Sequence, residues 1–94
     1  MKKKNILKIL GQSHTLEILS SLNERPRRFI DLEEVCKSNR TRSARLKELE
    51  QKKLIKRVPK IMGKRAYTFY EITPLGKRAL ELCNLLLHLE SKSK

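Results

Sequence analysis

Tryptophan is absent from this 94-residue chain, and two Tyr and two Phe are its only aromatics. Four scattered rings are too few for an obvious platform on which single-stranded bases stack. The two cysteines, Cys36 and Cys83, form no CxxC pair. With the two histidines they match no metal-ligand spacing, so no disulfide framework and no metal site are expected. Three dispersed glycines leave no Gly-rich loop to cradle a phosphate. No Ser-His-Asp context and no acidic pair in a pocket-like setting stands out either. Catalysis, a cofactor and an obvious small-molecule ligand are therefore not expected. No apolar run approaches the roughly 20 residues that cross a bilayer, so no membrane partner is expected. The opening MKKKNILKILGQ has the basic start of a secretion signal, but its apolar part is broken by Lys8 and ended by Gly11. A signal peptide is rejected on that ground, and the expected location is the cytoplasm.

Acidic residues are scarce beside basic ones. Ten Asp and Glu stand against 23 Lys and Arg, a formal net charge of +13. Such an excess draws a protein toward phosphates or anionic lipid. The basic residues cluster at 2–4, 25–28, 37–57 and 60–65, while Asp31, Glu33 and Glu34 concentrate acid elsewhere. A chain of this length makes one domain, 1–94, with a modest core. The hydrophobic share, 38%, is low but arrives in periodic segments, which argues against disorder.

Residues 37–57, KSNRTRSARLKELEQKKLIKR, carry nine Lys or Arg against two Glu. Leu46, Leu49 and Leu54 recur within them at helical spacing, so one side packs inward. A basic helix with one buried face can be held rigidly against a polyanion.

Helical pattern also fills 5–23, as one kinked helix or two. Ile6, Leu7, Ile9 and Leu10 precede Gly11, and Leu16, Ile18, Leu19 and Leu22 follow a cap at Ser13 or Gln12. Asn23 and Pro26 stop that pattern. Phe29-Ile30 reads as a very short strand. Asp31 reads as the N-cap of a helix carrying Leu32, Val35 and Cys36. Ser38, Asn39 or Thr41 caps the next helix, which is expected to run to about Lys53. Across 55–72 the period changes. Residues 55–60 and 65–72 read as strands rich in Val, Ile, Tyr, Thr and Phe, with Gly63 in the turn between them. Pro59 confines the first strand to an edge. Thr73-Pro74 then opens a helix over 74–90, Thr as cap and Pro at the first helical position, and SKSK is expected to fray. The expected fold class is α+β, mostly helical: a three-helix core containing a helix-turn-helix at 31–53, a β-hairpin wing at 55–72 and a C-terminal dimerisation helix.

Four motifs in this order resemble the winged helix-turn-helix transcription regulators, most closely the HxlR type and more loosely the MarR superfamily. Arg28-Phe29 with Asp31-Leu32 looks like the lead-in to the second helix. Arg45-Leu46-Lys47-Glu48-Leu49-Glu50 looks like the recognition helix. Leu54-Ile55-x-Arg57 looks like the passage into the wing, and Tyr70-x-Ile72-Thr73-x-x-Gly76 like the passage out of it. The sequence departs from that pattern in places. His14 stands where the HxlR type commonly has Trp, and the Cys often found near its N-terminus is missing. Lys53 replaces the Gly expected after the recognition helix, so a different helix end is expected there. Arg42 occupies a position that is usually apolar.

With Leu46 and Leu49 inward, a 100° turn per residue places Arg40, Ala44, Lys47 and Gln51 most nearly outward. Double-stranded DNA is the expected partner, with this helix in the major groove. Arg40, Thr41, Ser43, Ala44 and Lys47 are the candidate base readers, joined by Arg45 as reader or phosphate holder. Lys60, Lys64 and Arg65 on the wing, and Arg27 and Arg28 at the lead-in, are the candidate backbone contacts. Arg42 falls on the inward side. It either snorkels to a phosphate, pairs with Glu33 or Glu34, or signals a shifted helix start, and the ion pair is the favoured reading. An architectural protein that coats DNA with little sequence preference is the alternative to a sequence-specific regulator.

On the last helix Leu75, Ala79, Leu82, Leu86 and Leu89 are spaced 4, 3, 4, 3, an a/d seam of about two heptads. Leu80, Cys83 and Leu87 form a second stripe. One stripe is expected to meet the chain's own core and the other a second subunit, giving a homodimer whose target is an inverted repeat. Cys83 lies by that interface, as a buried thiol or an intersubunit disulfide; Cys36 is expected in the core.

Overall fold

The computed structural model describes residues 4–92. Residues 2 and 3 of the first basic cluster, and residues 93 and 94 of the expected frayed tail, lie outside the described residues. The order is α1 (Ile6–Leu10), α2 (Thr15–Glu24), a 3-10 helix (Ile30–Glu34), α3 (Asn39–Gln51), β1 (Ile55–Met62), β2 (Arg65–Ile72) and α4 (Pro74–Lys92). This is the winged helix-turn-helix arrangement, a mostly helical α+β fold.

The pattern at 5–23 resolves into two helices. Asn5 caps α1 by accepting the Lys8 N–H, and Gly11 closes it. The cap of α2 is neither Ser13 nor Gln12 but His14, at φ 70 and with no side-chain cap bond. Its ring Nδ1 instead lies 3.1 Å from the Val35 carbonyl, so a tertiary contact replaces the local one. The helix expected from Asp31 is a five-residue 3-10 helix, and the Asp31 carboxylate accepts the Arg28 N–H at 3.0 Å. So short a segment gains too little from propagation to offset α-helix nucleation, and 3-10 geometry is what short pieces adopt. The extended pairing lies two residues earlier than Phe29: Arg27 makes an isolated antiparallel bridge with Tyr70.

Ser38 caps α3, accepting the Thr41 N–H at 3.1 Å. Helix α3 ends at Gln51 and, contrary to the sequence expectation, ends as a glycine-terminated helix would. Lys53 adopts φ 61, the Leu54 N–H bonds the Leu49 carbonyl at 3.0 Å, and the Lys53 N–H bonds the Glu50 carbonyl at 3.0 Å. This is a Schellman closure. The left-handed Lys costs about 1 kcal/mol, which two otherwise orphaned carbonyls offset. The wing is a two-stranded antiparallel hairpin with Ile55 opposite Ile72 and Met62 opposite Arg65. Strand β1 runs past the expected residue 60 to Met62. Pro59 is tolerated because β1 pairs only with β2, leaving its other edge open.

The core gathers Ile9 and Leu10 from α1, Ile18, Leu19 and Leu22 from α2, and Leu32 and Cys36 from the turn region. Leu46 and Leu49 of α3, Leu54, Ile55 and Leu80 complete it. Helix α4 reaches this core mainly through its first two turns, where Gly76 and Leu80 are buried. Beyond Cys83 its leucines are open to solvent.

The start of α4 is fixed by close approach. Thr73 donates its hydroxyl to the Lys53 carbonyl at 2.7 Å, and the Gly76 N–H donates back to that hydroxyl at 3.0 Å. A Cβ on Gly76 would overlap the Leu54 carbonyl oxygen and come within 2.8 Å of Ile72 Cγ1. Gly76→Ala should therefore destabilise the fold by about 2–4 kcal/mol, against a small gain from helix propensity, as read by the midpoint of urea unfolding. An unchanged midpoint would show that α4 can shift away at no cost.

Candidate nucleic-acid interface

Helix α3 buries Arg42, Leu46 and Leu49, a spacing of 4 and 3 along one stripe. The opposite face, Arg40, Ser43, Ala44, Lys47 and Gln51, is exposed, while Thr41 and Arg45 at its margins are half-buried. The candidate base readers are thus brought onto one helix side, with Arg45 turned furthest from it. Among the described residues neither Arg40 nor Lys47 has an ion-pair partner. Both Glu residues of α3 are engaged elsewhere: Glu50 with Arg57 at 2.8 Å, and Glu48 with Lys4 at 2.8 Å and Arg45 at 3.2 Å. The acids that would neutralise the exposed face are therefore tied up at its edges.

Arg45 is an internal strut in the free chain. Its Nε donates to the Ser13 carbonyl at 2.9 Å, linking α3 to the α1–α2 junction. Arg27, placed by sequence on the phosphate backbone, is 7% exposed. Its Nε donates to the Ser21 carbonyl at 3.2 Å and its Nη2 to Glu24 at 2.7 Å. Arg28 pairs with Asp31 at 3.3 Å and sits 5.4 Å from the centre of the Tyr67 ring, joining the 3-10 helix to the wing. Hydrogen bonds from the Arg28 backbone and side chain hold the Asp31 carboxyl below the usual carboxylate range. On the wing, Lys60 lies over Phe69 at 5.0 Å and 3.6 Å from Glu71. Lys64 and Arg65 are exposed and unpaired among the described residues. The cations free to meet a phosphate are thus fewer than sequence alone suggests.

Arg42 has a different role from the favoured ion pair. It is 1% exposed, and both Glu33 and Glu34 point to solvent. Its Nη1 donates to the Phe29 carbonyl at 3.0 Å, its Nη2 to the Lys37 carbonyl at 3.2 Å and to the Asn39 side-chain oxygen. The guanidinium carbon lies 4.4 Å from the centre of the Phe29 ring. The turn leaves the Lys37 carbonyl outside any helix ladder, and the Phe29 carbonyl, which accepts the Leu32 N–H at 3.2 Å, has a second lone pair open; a planar guanidinium can span both. Arg42 therefore stitches the first half of the helix-turn-helix to the second. Its charge is compensated by carbonyl dipoles and a ring face rather than by a carboxylate, and its Nε has no partner.

Two further features escaped the sequence reading. Ile61 and Met62, at the wing tip, are 81% and 56% exposed, and their only sequence signal was an apolar pair beside a turn. On α4, Leu75, Leu82, Leu86 and Leu89 of the expected seam are exposed, but so are Leu85 and Leu87, which widens the apolar face. Ala79 and Cys83 are half-buried against the core, and Leu80 is buried. Burial pushes the Cys83 thiol up, which makes its reactive thiolate scarcer. Both cysteines are free, and Cys36 is buried in the core.

Removing Arg42 leaves a void and takes the donor from the Lys37 carbonyl and the Asn39 side-chain oxygen, while the Phe29 carbonyl keeps the Leu32 N–H. Arg42→Ala should lower stability by about 2–4 kcal/mol in urea unfolding, and Arg42→Lys should restore less than half of that, because an ammonium lacks the fork. Full recovery with Lys would show that charge alone matters.

Over residues 9–93 the sequence matches the HxlR-like helix-turn-helix family. No curated relative matches it at a significant level. The fold is similar to that of a protein from Enterococcus faecalis V583 assigned to the MarR family of transcriptional regulators. TM-score is 0.81 and identity 20%, over 92% of this chain and 79% of that one. It is also similar to a PadR family transcription regulator from Clostridium difficile R20291, with TM-score 0.79, identity 20%, and coverage of 87% and 94%. The reduced form of the transcriptional regulator YodB from B. subtilis is a third, with TM-score 0.77, identity 24%, and coverage of 87% and 81%. The family and these neighbours are transcriptional regulators rather than enzymes, and no described helix is long and apolar enough to cross a membrane. With the match running over almost its whole length, the chain belongs to the HxlR-like helix-turn-helix family.

Proposed function

We propose that the chain regulates transcription by binding double-stranded DNA sequence-specifically as a homodimer, acting at the nucleoid. The observation that carries this reading is the exposed face of α3, where Arg40 and Lys47 are unpaired among the described residues and flank Ser43 and Ala44. A helix of this kind fits the major groove, where each base pair presents a distinct edge. Arg40 and Lys47 read bases together with Ser43, Ala44 and Thr41. Lys64 and Arg65 hold the backbone, with Lys60 and Arg28 available once their intramolecular pairs, both partly exposed, give way. Arg45 and Arg27 hold the frame that presents the others.

Support for the dimer comes from α4. Six of its leucines are about half-exposed or more, and Leu7 of α1 is 75% exposed. A contiguous apolar face this large on a small chain marks an interface. Two copies joined along α4 would set two recognition helices about one DNA turn apart. The expected seam of Leu75, Leu82, Leu86 and Leu89, with Ala79 and Cys83 at its inner margin, is the proposed contact, and Cys83 serves there as a packing thiol.

Titration on selected and random duplexes at several salt concentrations tests the DNA reading. A regulator should keep a specificity ratio on the order of 10³ or more at physiological salt. Arg40→Ala should relax specificity at a cost of about 1–3 kcal/mol, while Lys64→Ala should weaken all sequences alike and reduce the salt slope by about 1. Near-uniform affinity that collapses with salt would favour the architectural alternative. For the dimer, sedimentation at micromolar concentration should give a two-chain species that Leu82→Asp with Leu86→Asp converts to one chain. A monomeric parent protein would sink that part of the reading.

A further inference from the structure

The wing tip is unusual for a surface destined to meet phosphates. Ile61 is 81% exposed and Met62 56% exposed, and they stand beside the Gly63 turn. Ile61 faces Ala66 and Met62 faces Arg65 across the hairpin, so the apolar pair stands on β1, and β2 sets only Ala66 and a cation opposite it. No core residue lies beneath the pair, since the hairpin meets the hydrophobic cluster only through Ile55, Tyr70 and Ile72 near its other end. Single exposed apolar residues need no account, but an adjacent pair beside an exposed turn is kept in water at a cost. Cations surround the pair. Lys64 and Arg65 are exposed with no ion-pair partner among the described residues, and Lys60 is held back over Phe69. An apolar tip ringed by free positive charge is complementary to a surface with phosphates at its rims and ring edges and sugars at its floor, which describes the minor groove of DNA.

We propose that Ile61 and Met62 form an apolar wedge that the wing presses into a base step of the minor groove, partly opening the stack there. The proposal rests on the DNA-binding reading above and adds a source of specificity to it. Lys64 and Arg65 clamp the flanking phosphates and position the tip. Branched and thioether side chains then occupy the gap that unstacking creates, as apolar wedges do in minor-groove architectural proteins. No base hydrogen bond is involved, so the selection is by deformability. Steps that unstack easily, TA and CA/TG, accept the wedge at least cost, and A-tracts resist it. Sequence preference would then arise from two parts of the chain, by base edges at α3 and by stacking energy at the wing.

Partial intercalation untwists DNA, which can be read without knowing the target sequence. Relaxed plasmid is incubated with the full chain, re-closed by topoisomerase I, deproteinised, and its linking number measured on a gel. The parent protein should lower the linking number in proportion to protein bound. The variant carrying Ile61→Ser and Met62→Ser should show the parent's circular dichroism, because both side chains are exposed. It should bind the plasmid with an unchanged salt slope and lose at least half of the change in linking number. Lys64→Ala should lower the salt slope, the readout that the double serine variant leaves unchanged. Binding by the parent without any change in linking number, or an equal change in the double serine variant, overturns the wedge and leaves the DNA reading intact. No binding to plasmid even at low salt overturns the DNA reading and the wedge with it. A double variant that alters the sedimenting species but not the linking number overturns the wedge in favour of contact with a second copy.

Discussion

The Leu54 carbonyl is the point through which the rest of this structure is connected. It accepts the Thr73 N–H at 3.0 Å and shares the Thr73 hydroxyl, also at 3.0 Å, with the nearer Lys53 carbonyl, and the backbone of Gly76 packs directly against it. One residue earlier, Lys53 turns the chain into the left-handed region and closes α3. Within a few residues, the end of α3, both strand ends at the base of the wing and the first turn of α4 are joined by short, directional bonds. The angle between α3 and the wing, and the direction in which α4 leaves the core, follow from that junction. A side chain at 76 would force these parts away from one another.

The second organising theme is the division of the basic residues between inside and outside. An excess of positive charge would normally spread over a surface by repulsion. Here several cations are drawn inward by carbonyls. Arg42 takes those of Phe29 and Lys37, Arg27 that of Ser21, and Arg45 that of Ser13. Short helices and a 3-10 turn leave many backbone oxygens without ladder partners, and guanidinium groups satisfy them. The same feature that makes the fold compact and irregular therefore consumes arginines. Of the candidate DNA contacts, Arg40 and Lys47 on α3 and Lys64 and Arg65 on the wing remain exposed and unpaired among the described residues, a smaller and better-defined set. It is also less neutralised, because Glu48 and Glu50 are spent on Lys4, Arg45 and Arg57.

Two apolar surfaces stay uncovered, and they differ in kind. The face of α4 is long, made of leucine and continuous with a helix already docked by Leu80, which suits a second helix of the same type. The wing tip is small, borne on a hairpin and ringed by cations, which suits a narrow polyanionic groove. Separating them matters for function. One face would set the spacing of two recognition helices, while the other would act within each binding half.

Much of this was readable from residue order. The leucine spacing of α3 identified which side faces out, because a helix has one period and Leu46 and Leu49 determine its phase. Thr73-Pro74 marked the start of α4, since cap and first-turn preferences are local, and Gly63 marked the wing turn for the same reason. The sequence misled where a choice depended on distant partners. The three candidate caps at 38, 39 and 41 were equal until the chain path chose Ser38. His14 took the α2 cap because Val35 lies within reach of its ring. Lys53 adopted a conformation that its own chemistry disfavours because two carbonyls of α3 awaited donors. Charge count and period, which are properties of the chain itself, thus determined the class of fold and the sign of its surface. Which arginine is a strut and which is free, and which leucines are covered, was decided only by tertiary structure, since it depends on carbonyls and apolar faces that folding brings within a few ångströms.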